Sequence, residues 1–384
     1  MRRKLVYPST ALIPSAQANS VQIMKMCNAL CRFGFDVTLL AGTLPGYGSV
    51  NVYEYYGVEN TFSIVRKVSG CRRGSTFFLS LRNYPTLKNL AGSRQNILFY
   101  GRDVLALYVL ARAGRQVMYE THDIVRKGPR SWAERRLIEG QNLRKIVFIS
   151  SELKRAYLEK YGTVLADKKM IVAPDAADEQ PDFSETFRLN GGARFNACYV
   201  GGLHRGRGVE LILEVAGRMP EVGFHLFGGA VNQIRPLEQT SSPNVHFYGH
   251  ITPAQTYKVR NAADVLLMPY QREVVVAQNA SETSRWMSPV KLFEYMSSRK
   301  PIVSSNHKVL QEVLEHNRNC LLCEPDDPTQ WVRAIASAKE DEQLSRRISE
   351  TAYRDFVDHY TWDKRVRRIL ADDEIAVKEW SCRS

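Results

Sequence analysis

The chain lacks any apolar run that could cross a bilayer: nothing approaches the roughly 18 consecutive apolar residues a spanning helix needs. Its start, Met1-Arg2-Arg3-Lys4-Leu5-Val6-Tyr7-Pro8, is basic, but the apolar stretch breaks too soon for a secretory signal. Cysteine is sparse and odd in number, seven in 384 residues without a repeating spacing. That argues against a disulfide framework and for reduced thiols in a cytoplasm. Cys320-Leu-Leu-Cys323 has metal-ligand spacing, yet no second Cys or His pair stands near to close a tetrahedral site. The pair is expected on the rim of a short strand. Cys27 and Cys31, one helical turn apart, are expected to pack, and Asp372-Asp373, without partner spacing, to lie at the surface. No metal and no other cofactor is expected. Also missing is a Gly-x-Gly-x-x-Gly turn after the first strand at Tyr7, which sets aside an ordinary dinucleotide site.

Negative charge is short in one half only. Of 53 Lys/Arg and 40 Asp/Glu, residues 1–190 hold 28 and 16, a balance of +12, and the remainder only +1. A basic first half attracts polyanions: a phospholipid surface, a lipid-linked diphosphate or nucleic acid. No nucleic-acid-reading motif accompanies the charge, so the expected partner is an anionic membrane surface. Residues 66–95 mix Arg66, Lys67, Arg72, Arg73, Arg82, Lys88 and Arg94 with Phe77, Phe78 and Tyr84. They look like a long basic-aromatic insertion suited to a lipid-linked acceptor. The expected location is cytoplasmic, peripheral at the inner face of the membrane.

The length suits two units of roughly 150–200 residues, and the pattern agrees. Leu5–Tyr7 reads as a short strand, then apolar residues at 23, 26, 27, 30 and 31 mark one helical face, closed by Gly34. Strands at 36–41, 96–100, 116–120, 146–150 and 171–174 alternate with helices at 104–111 and from 152. Residues 174–192 are polar and aperiodic, with two prolines and paired glycines, and read as a linker. A second series follows: strands near 197–200, 223–227, 245–248, 264–269 and 301–304, with helices from 209, 254 and 291. Such alternation implies α/β architecture, two Rossmann-like doubly wound domains facing across a cleft. The expected boundaries are 1–173, linker 174–192, 193–358 and a C-terminal helix in 359–384, which the family resemblance given below implies crosses back to the first domain. Ligands of such sheets sit beyond the carboxyl ends of the strands, so the loop residues there are the ones to inspect.

Two segments stand out. Ser288-Pro289-Val290-Lys291-Leu292-Phe293-Glu294-Tyr295-Met296 reads as a helix with Ser288 as N-cap and Pro289 in its first turn. Free amides at that helix start, with Lys291 beside them, form an anion site able to hold a diphosphate. Glu294, three residues on, shares the face and can accept from ribose hydroxyls. Tyr199-Val-Gly201-Gly202-Leu-His204-Arg205-Gly206-Arg207-Gly208 is a strand followed by a Gly-rich turn with two arginines suited to phosphate oxygens.

These segments, with Val245-His-Phe-Tyr-Gly249-His, Ala262-Ala-Asp-Val-Leu-Leu-Met-Pro269, Ala18-Asn19-Ser20 and Tyr360-Thr-Trp362-Asp-Lys-Arg, resemble the retaining glycosyltransferases of the GT-B fold, family-four type. The likeness runs over nearly the whole chain and is weakest at 50–95. It implies transfer of a sugar from a nucleotide-sugar donor to a lipid-linked or saccharide acceptor, in cell-surface glycan assembly. Arg207 and Lys291 fall where the family grips the donor diphosphate, with Gly201, Gly202, Arg205, Ser288, Pro289 and Val290 around them. Glu294 matches the glutamate that holds the ribose, and Gly249 the backbone that reads the base. His122, in Tyr119-Glu-Thr-His122-Asp123, matches the histidine that serves the transferred sugar. Asn19, Arg102, Asp123 and Trp286 are candidates for the acceptor side or the cleft lining. Trp286 stands where the family has its first glutamate, and Gly202 where an arginine is frequent.

No carboxylate pair of the glycosidase kind is evident. In the family's scheme the departing phosphate takes the acceptor proton on one face, and fixed cations stabilise its growing charge. Two other readings stay open. One is a sugar-nucleotide epimerase on the same fold, which would interconvert donor without acceptor. The other is a nucleotide-binding partner subunit without turnover, which Trp286 suggests.

Overall fold

The computed structural model describes residues 2–46, 49–68, 83, 85–90, 92–93, 96–125, 127–274 and 284–371. Most of the basic-aromatic stretch (Arg72, Arg73, Phe77, Phe78, Arg82, Tyr84, Arg94) and Asp372-Asp373 therefore lie outside the described residues. The polypeptide divides into two compact units, Met1–Pro174 with Trp362–Ser384, and Asp175–Thr361. No described helix is long and apolar enough to cross a membrane.

The first unit is built on a seven-stranded sheet: β1 (Arg3–Leu12), β2 (Phe35–Thr43), β3 (Ser63–Val68), β4 (Ile97–Gly101), β5 (Val117–Thr121), β6 (Leu143–Phe148) and β7 (Lys169–Val172). All neighbours pair in parallel, in the order β3-β2-β1-β4-β5-β6-β7. Strands covered on both faces must be apolar throughout, and β4 and β5 are buried at every position. Residues 66–68 are the end of edge strand β3 and not the start of an insertion, because they carry its pairing to β2. Helices Ala18–Arg32, Val104–Arg112, Pro129–Glu139 and Ser151–Tyr161 connect the strands. The helix Trp362–Leu370 also belongs to this unit, where Val366, Ile369 and Leu370 are buried.

The second unit holds β8 (Asn196–Val200), β9 (Gly223–Phe227), β10 (Val245–Gly249), β11 (Val265–Met268), β12 (Ile302–Ser305) and β13 (Leu321–Cys323). They are again all parallel, in the order β10-β9-β8-β11-β12-β13. Both sheets thus reverse strand order once, between β1 and β4 and between β8 and β11, and such a switch point opens a crevice at the strands' carboxyl ends. Helix Val209–Arg218 shows why the core forms: Val209, Leu211, Ile212, Val215 and Ala216 make one buried stripe over the sheet. Of residues 174–192, read from sequence as a linker, those from Asp175 on belong to this unit and pack onto it. Ala177 bridges to Thr361, Gln180 Nε2 donates to Asn261 Oδ1 at 2.7 Å, and Phe187 N donates to Lys258 O at 3.0 Å. A polar, aperiodic stretch can still be fixed when its backbone groups find such partners. Cys27, Cys31, Cys320 and Cys323 are all buried thiols.

Candidate active site

In the second unit β8 ends at Val200 and the chain turns through Gly201–Gly208 into helix Val209–Arg218. Gly208 has φ +78°, and a Cβ there would collide with the carbonyl of Pro269, just past β11. Only glycine suits that position. A Cβ on Gly201 would meet the Lys291 Nζ and, at 2.9 Å, the Tyr199 hydroxyl. The missing side chain at Gly201 makes room for that amine.

Lys291 rises from the first turn of helix Val290–Met296. This helix is moored between β8 and β11: Tyr295 Oη accepts from Val200 N at 2.9 Å and donates to Leu267 O at 3.3 Å. Ser288 is not its N-cap. Pro289 takes that place in an extended conformation, without a side-chain cap, and Ser288 Oγ accepts instead from Asp175 N at 2.8 Å. The Lys291 ammonium lies 4.1 Å from the ring centroid of Tyr199 and 5.2 Å from that of Tyr270, and the Arg207 guanidinium lies 5.1 Å from the same Tyr270 ring. Lys291 Nζ and Arg207 Nε are both buried and have no hydrogen-bond partner among the described residues. Burial first, then the neighbouring Arg207, pushes the Lys291 amine well below the usual lysine range, with Glu294 opposing. Two cations therefore share one aromatic floor at the switch point of the sheet, and among the described residues no anion forms an ion pair with either.

The other candidate residues of this unit sort around that floor. Glu294 is half-buried one turn after Lys291, and its charge acts on Lys291, Tyr270 and Arg260. Arg207, Lys291 and Glu294 are thus brought together around Tyr270. Gly249 closes β10 with φ +69°, its carbonyl accepting from Gly228 N at 2.7 Å. Gly202 takes the Tyr199 hydroxyl on its carbonyl at 2.8 Å. Val290 and Trp286 are buried, whereas Arg205 is exposed.

In the first unit His122 follows β5 directly. Its Nε2 lies 2.5 Å from Glu120 Oε1, and burial with the nearby Arg102 lowers its pKa to about 4. Arg102, just past β4, donates through Nη1 to Gln22 Oε1 at 3.1 Å. Asn19 sits in the first turn of helix Ala18–Arg32 with its Oδ1 buried and unpartnered among the described residues. Asp123 Oδ1 accepts from Ile124 N at 2.7 Å, in the turn that leaves the strand.

Residues 194–341 match the family model described as Glycosyl transferases group 1. The second unit is therefore similar in sequence to the group 1 glycosyltransferases. Solved structures give the same fold over the whole length. Sucrose-phosphate synthase from Thermosynechococcus elongatus is similar at 16% identity and a TM-score of 0.71, over 99% of this chain and 100% of the other. HepE of Anabaena, solved with UDP and glucose, gives 14% and 0.65 over 99% and 100%. WaaG, a glycosyltransferase involved in lipopolysaccharide biosynthesis, gives 12% and 0.64 over 96% and 100%. These are GT-B glycosyltransferases, and the chain has their fold. No curated protein matches the chain significantly in sequence.

Sequence reasoning missed the two rings under the cations. Tyr199 was in view as the residue before the Gly-rich turn, and Tyr270 directly follows Pro269 at the end of β11, so position was a usable signal for both. It missed Arg365 as well, although Tyr360-Thr-Trp362-Asp-Lys-Arg carried part of the family likeness.

Proposed function

We propose that this chain is a retaining, metal-independent glycosyltransferase that takes a nucleotide-sugar donor whose diphosphate is gripped by Lys291 and Arg207. The single observation that carries the reading is the pair of buried nitrogens, Lys291 Nζ and Arg207 Nε, which lack hydrogen-bond partners among the described residues. A buried donor without an acceptor is costly, and phosphate oxygens supply acceptors with the matching charge. Glu294 takes the ribose hydroxyls, Gly249 and its neighbours the base, and His122 acts at the transferred sugar. As the bond to the anomeric carbon lengthens, negative charge grows on the leaving diphosphate. Lys291 and Arg207 are already in place to stabilise it, without reorganisation at the moment of reaction.

UDP-sugars are the first donors to try, since HepE was solved with UDP and UDP-glucose and TarM of S. aureus with UDP. A lipid-linked or polysaccharide acceptor fits the basic first half, which would also hold the enzyme against an anionic membrane surface. The test is turnover of UDP-sugars, with the product's anomeric configuration read by NMR. Retained configuration, abolished by Lys291→Ala and Glu294→Ala, supports the reading. Inversion, or near-wild-type turnover in both variants, overturns it. Interconversion of donor without acceptor would mark an epimerase instead.

A further inference from the structure

Glu120 lies on β5 with a fully buried carboxylate, and no role has yet been given to it. Its Oε1 takes His122 Nε2 at 2.5 Å and Gln22 Nε2 at 2.8 Å, and its Oε2 takes Arg365 Nη1 at 3.1 Å and the Tyr100 hydroxyl. Donors thus converge from β4, from helix Ala18–Arg32 and from helix Trp362–Leu370. Arg365 is 2% exposed, so its charge has almost no water to fall back on. Its Nε donates to Pro174 O at 2.8 Å and its Nη2 to Ala173 O at 3.2 Å, the last residues before the chain leaves this unit. One guanidinium therefore ties the C-terminal helix, the end of the first segment and the Glu120 carboxylate into one rigid cluster.

The chemistry of the ring follows from this cluster. Arg365 and His122 hold the Glu120 carboxyl well below the usual carboxylate range in spite of its burial. An ionised carboxylate only accepts, so His122 Nε2 must carry the proton and donate. In a neutral imidazole that leaves Nδ1 as the acceptor. Among the described residues of the first unit, the groups acting on the ring and its partner include Glu120, Arg102, Arg365, Tyr7, Tyr100 and Cys27. Burial keeps the last three neutral; of this unit's charges, Glu120 favours the imidazolium, and Arg102 and Arg365 oppose it.

We propose that Glu120 and Arg365 are positioning residues for His122. Glu120 fixes the neutral ring with Nε2 donating and Nδ1 presented to substrate, and Arg365 holds Glu120 ionised and in place. The inference rests on the reading that His122 serves the transferred sugar, and the experiment separates the two. Full-length wild type and the variants Glu120→Gln, Arg365→Lys, Arg365→Met and His122→Ala are compared by donor turnover against pH. In ¹⁵N-histidine-labelled protein, His122 is assigned by its loss in His122→Ala.

In wild type, the ring nitrogens should report a single Nε2–H tautomer. Glu120→Gln should lower kcat by about tenfold to a hundredfold, with donor KM within about twofold, and mix the tautomers. Removing the Arg365 charge should raise the His122 pKa, so the acid limb of the pH profile moves up in Arg365→Met and stays near wild type in Arg365→Lys. If Arg365→Met fails to fold, Glu120→Gln and Arg365→Lys still decide. An Nδ1–H ring in wild type, or an unchanged tautomer with unchanged kcat in Glu120→Gln, overturns the inference. Full turnover in His122→Ala overturns the reading of His122 itself, whatever the tautomer.

Discussion

Replacing Lys291 by Met should make the protein more stable and, on the proposed function, less able to bind a UDP-sugar. Methionine keeps the length of the stem and removes only the ammonium. In the free protein that ammonium has no hydrogen-bond acceptor among the described residues and rests on the rings of Tyr199 and Tyr270. An unsatisfied buried donor costs about 1–3 kcal/mol, and the cation–π contacts return about 0.5–2 kcal/mol. The net gain on removal is therefore about 1 kcal/mol, or a rise in Tm of roughly 2–4 °C for a unit of this size. The sign of the pH dependence is fixed too. Lys291 titrates lower in the folded state than its ordinary 10.5, so between the two values the unfolded chain binds the extra proton. Wild-type stability consequently rises with pH through that window, and the variant lacks this component.

With donor present the order reverses. A charge-assisted hydrogen bond is worth about 1.5–3 kcal/mol, so the dissociation constant should rise about 10- to 150-fold. At a donor concentration 100 times the wild-type constant, wild type gains about 2.7 kcal/mol and the variant far less. Scanning calorimetry with and without a UDP-sugar reads both effects. A variant that melts several degrees lower than wild type, or binds donor within twofold of it, refutes the reasoning.

Gly201→Ala should push the Lys291 amine aside without altering it, since the new Cβ meets the Nζ; titration calorimetry should show donor affinity down about tenfold with the circular dichroism spectrum unchanged. Glu134, fully buried, accepts from the hydroxyls of Tyr119 at 2.8 Å and of Tyr157 and Tyr161 at 2.5 Å, and pairs with Lys160 at 3.3 Å. Glu134→Ala strands these donors and should cost about 3–5 kcal/mol in a denaturant titration of the first unit; a loss under 1 kcal/mol contradicts that assignment. His225 is held at about 4 by burial and by His246, so the unfolded chain binds a proton that the folded one refuses between pH 6.5 and about 4. Stability should fall with acidification through that window, and His225→Gln should reduce the slope by up to about 1.36 kcal/mol per pH unit.

The alternating series of short apolar strands and amphipathic helices was enough to read two parallel α/β sheets, because strands covered on both faces have to be apolar. Local signals also placed Lys291 and Glu294 on one helix face and Arg207 in a Gly-rich turn after a strand. What the sequence could not convey was three-dimensional convergence. Tyr199 and Tyr270 are 71 positions apart and become one floor only because β8 and β11 pair in the sheet. Arg365 stands 245 positions from Glu120, and no local signal announces that its guanidinium reaches that carboxylate. The capping error has a local cause: Ser288 and Pro289 both suit a helix start, and the backbone partner that draws Ser288 away, Asp175, is 113 positions distant.

The most direct trial of the account is a crystal structure of the protein with a UDP-sugar. Phosphate oxygens should lie within hydrogen-bond distance of Lys291 Nζ and the Arg207 guanidinium, with the ribose on Glu294. A diphosphate bound elsewhere, with the Lys291 amine still resting on the two tyrosine rings, would contradict it.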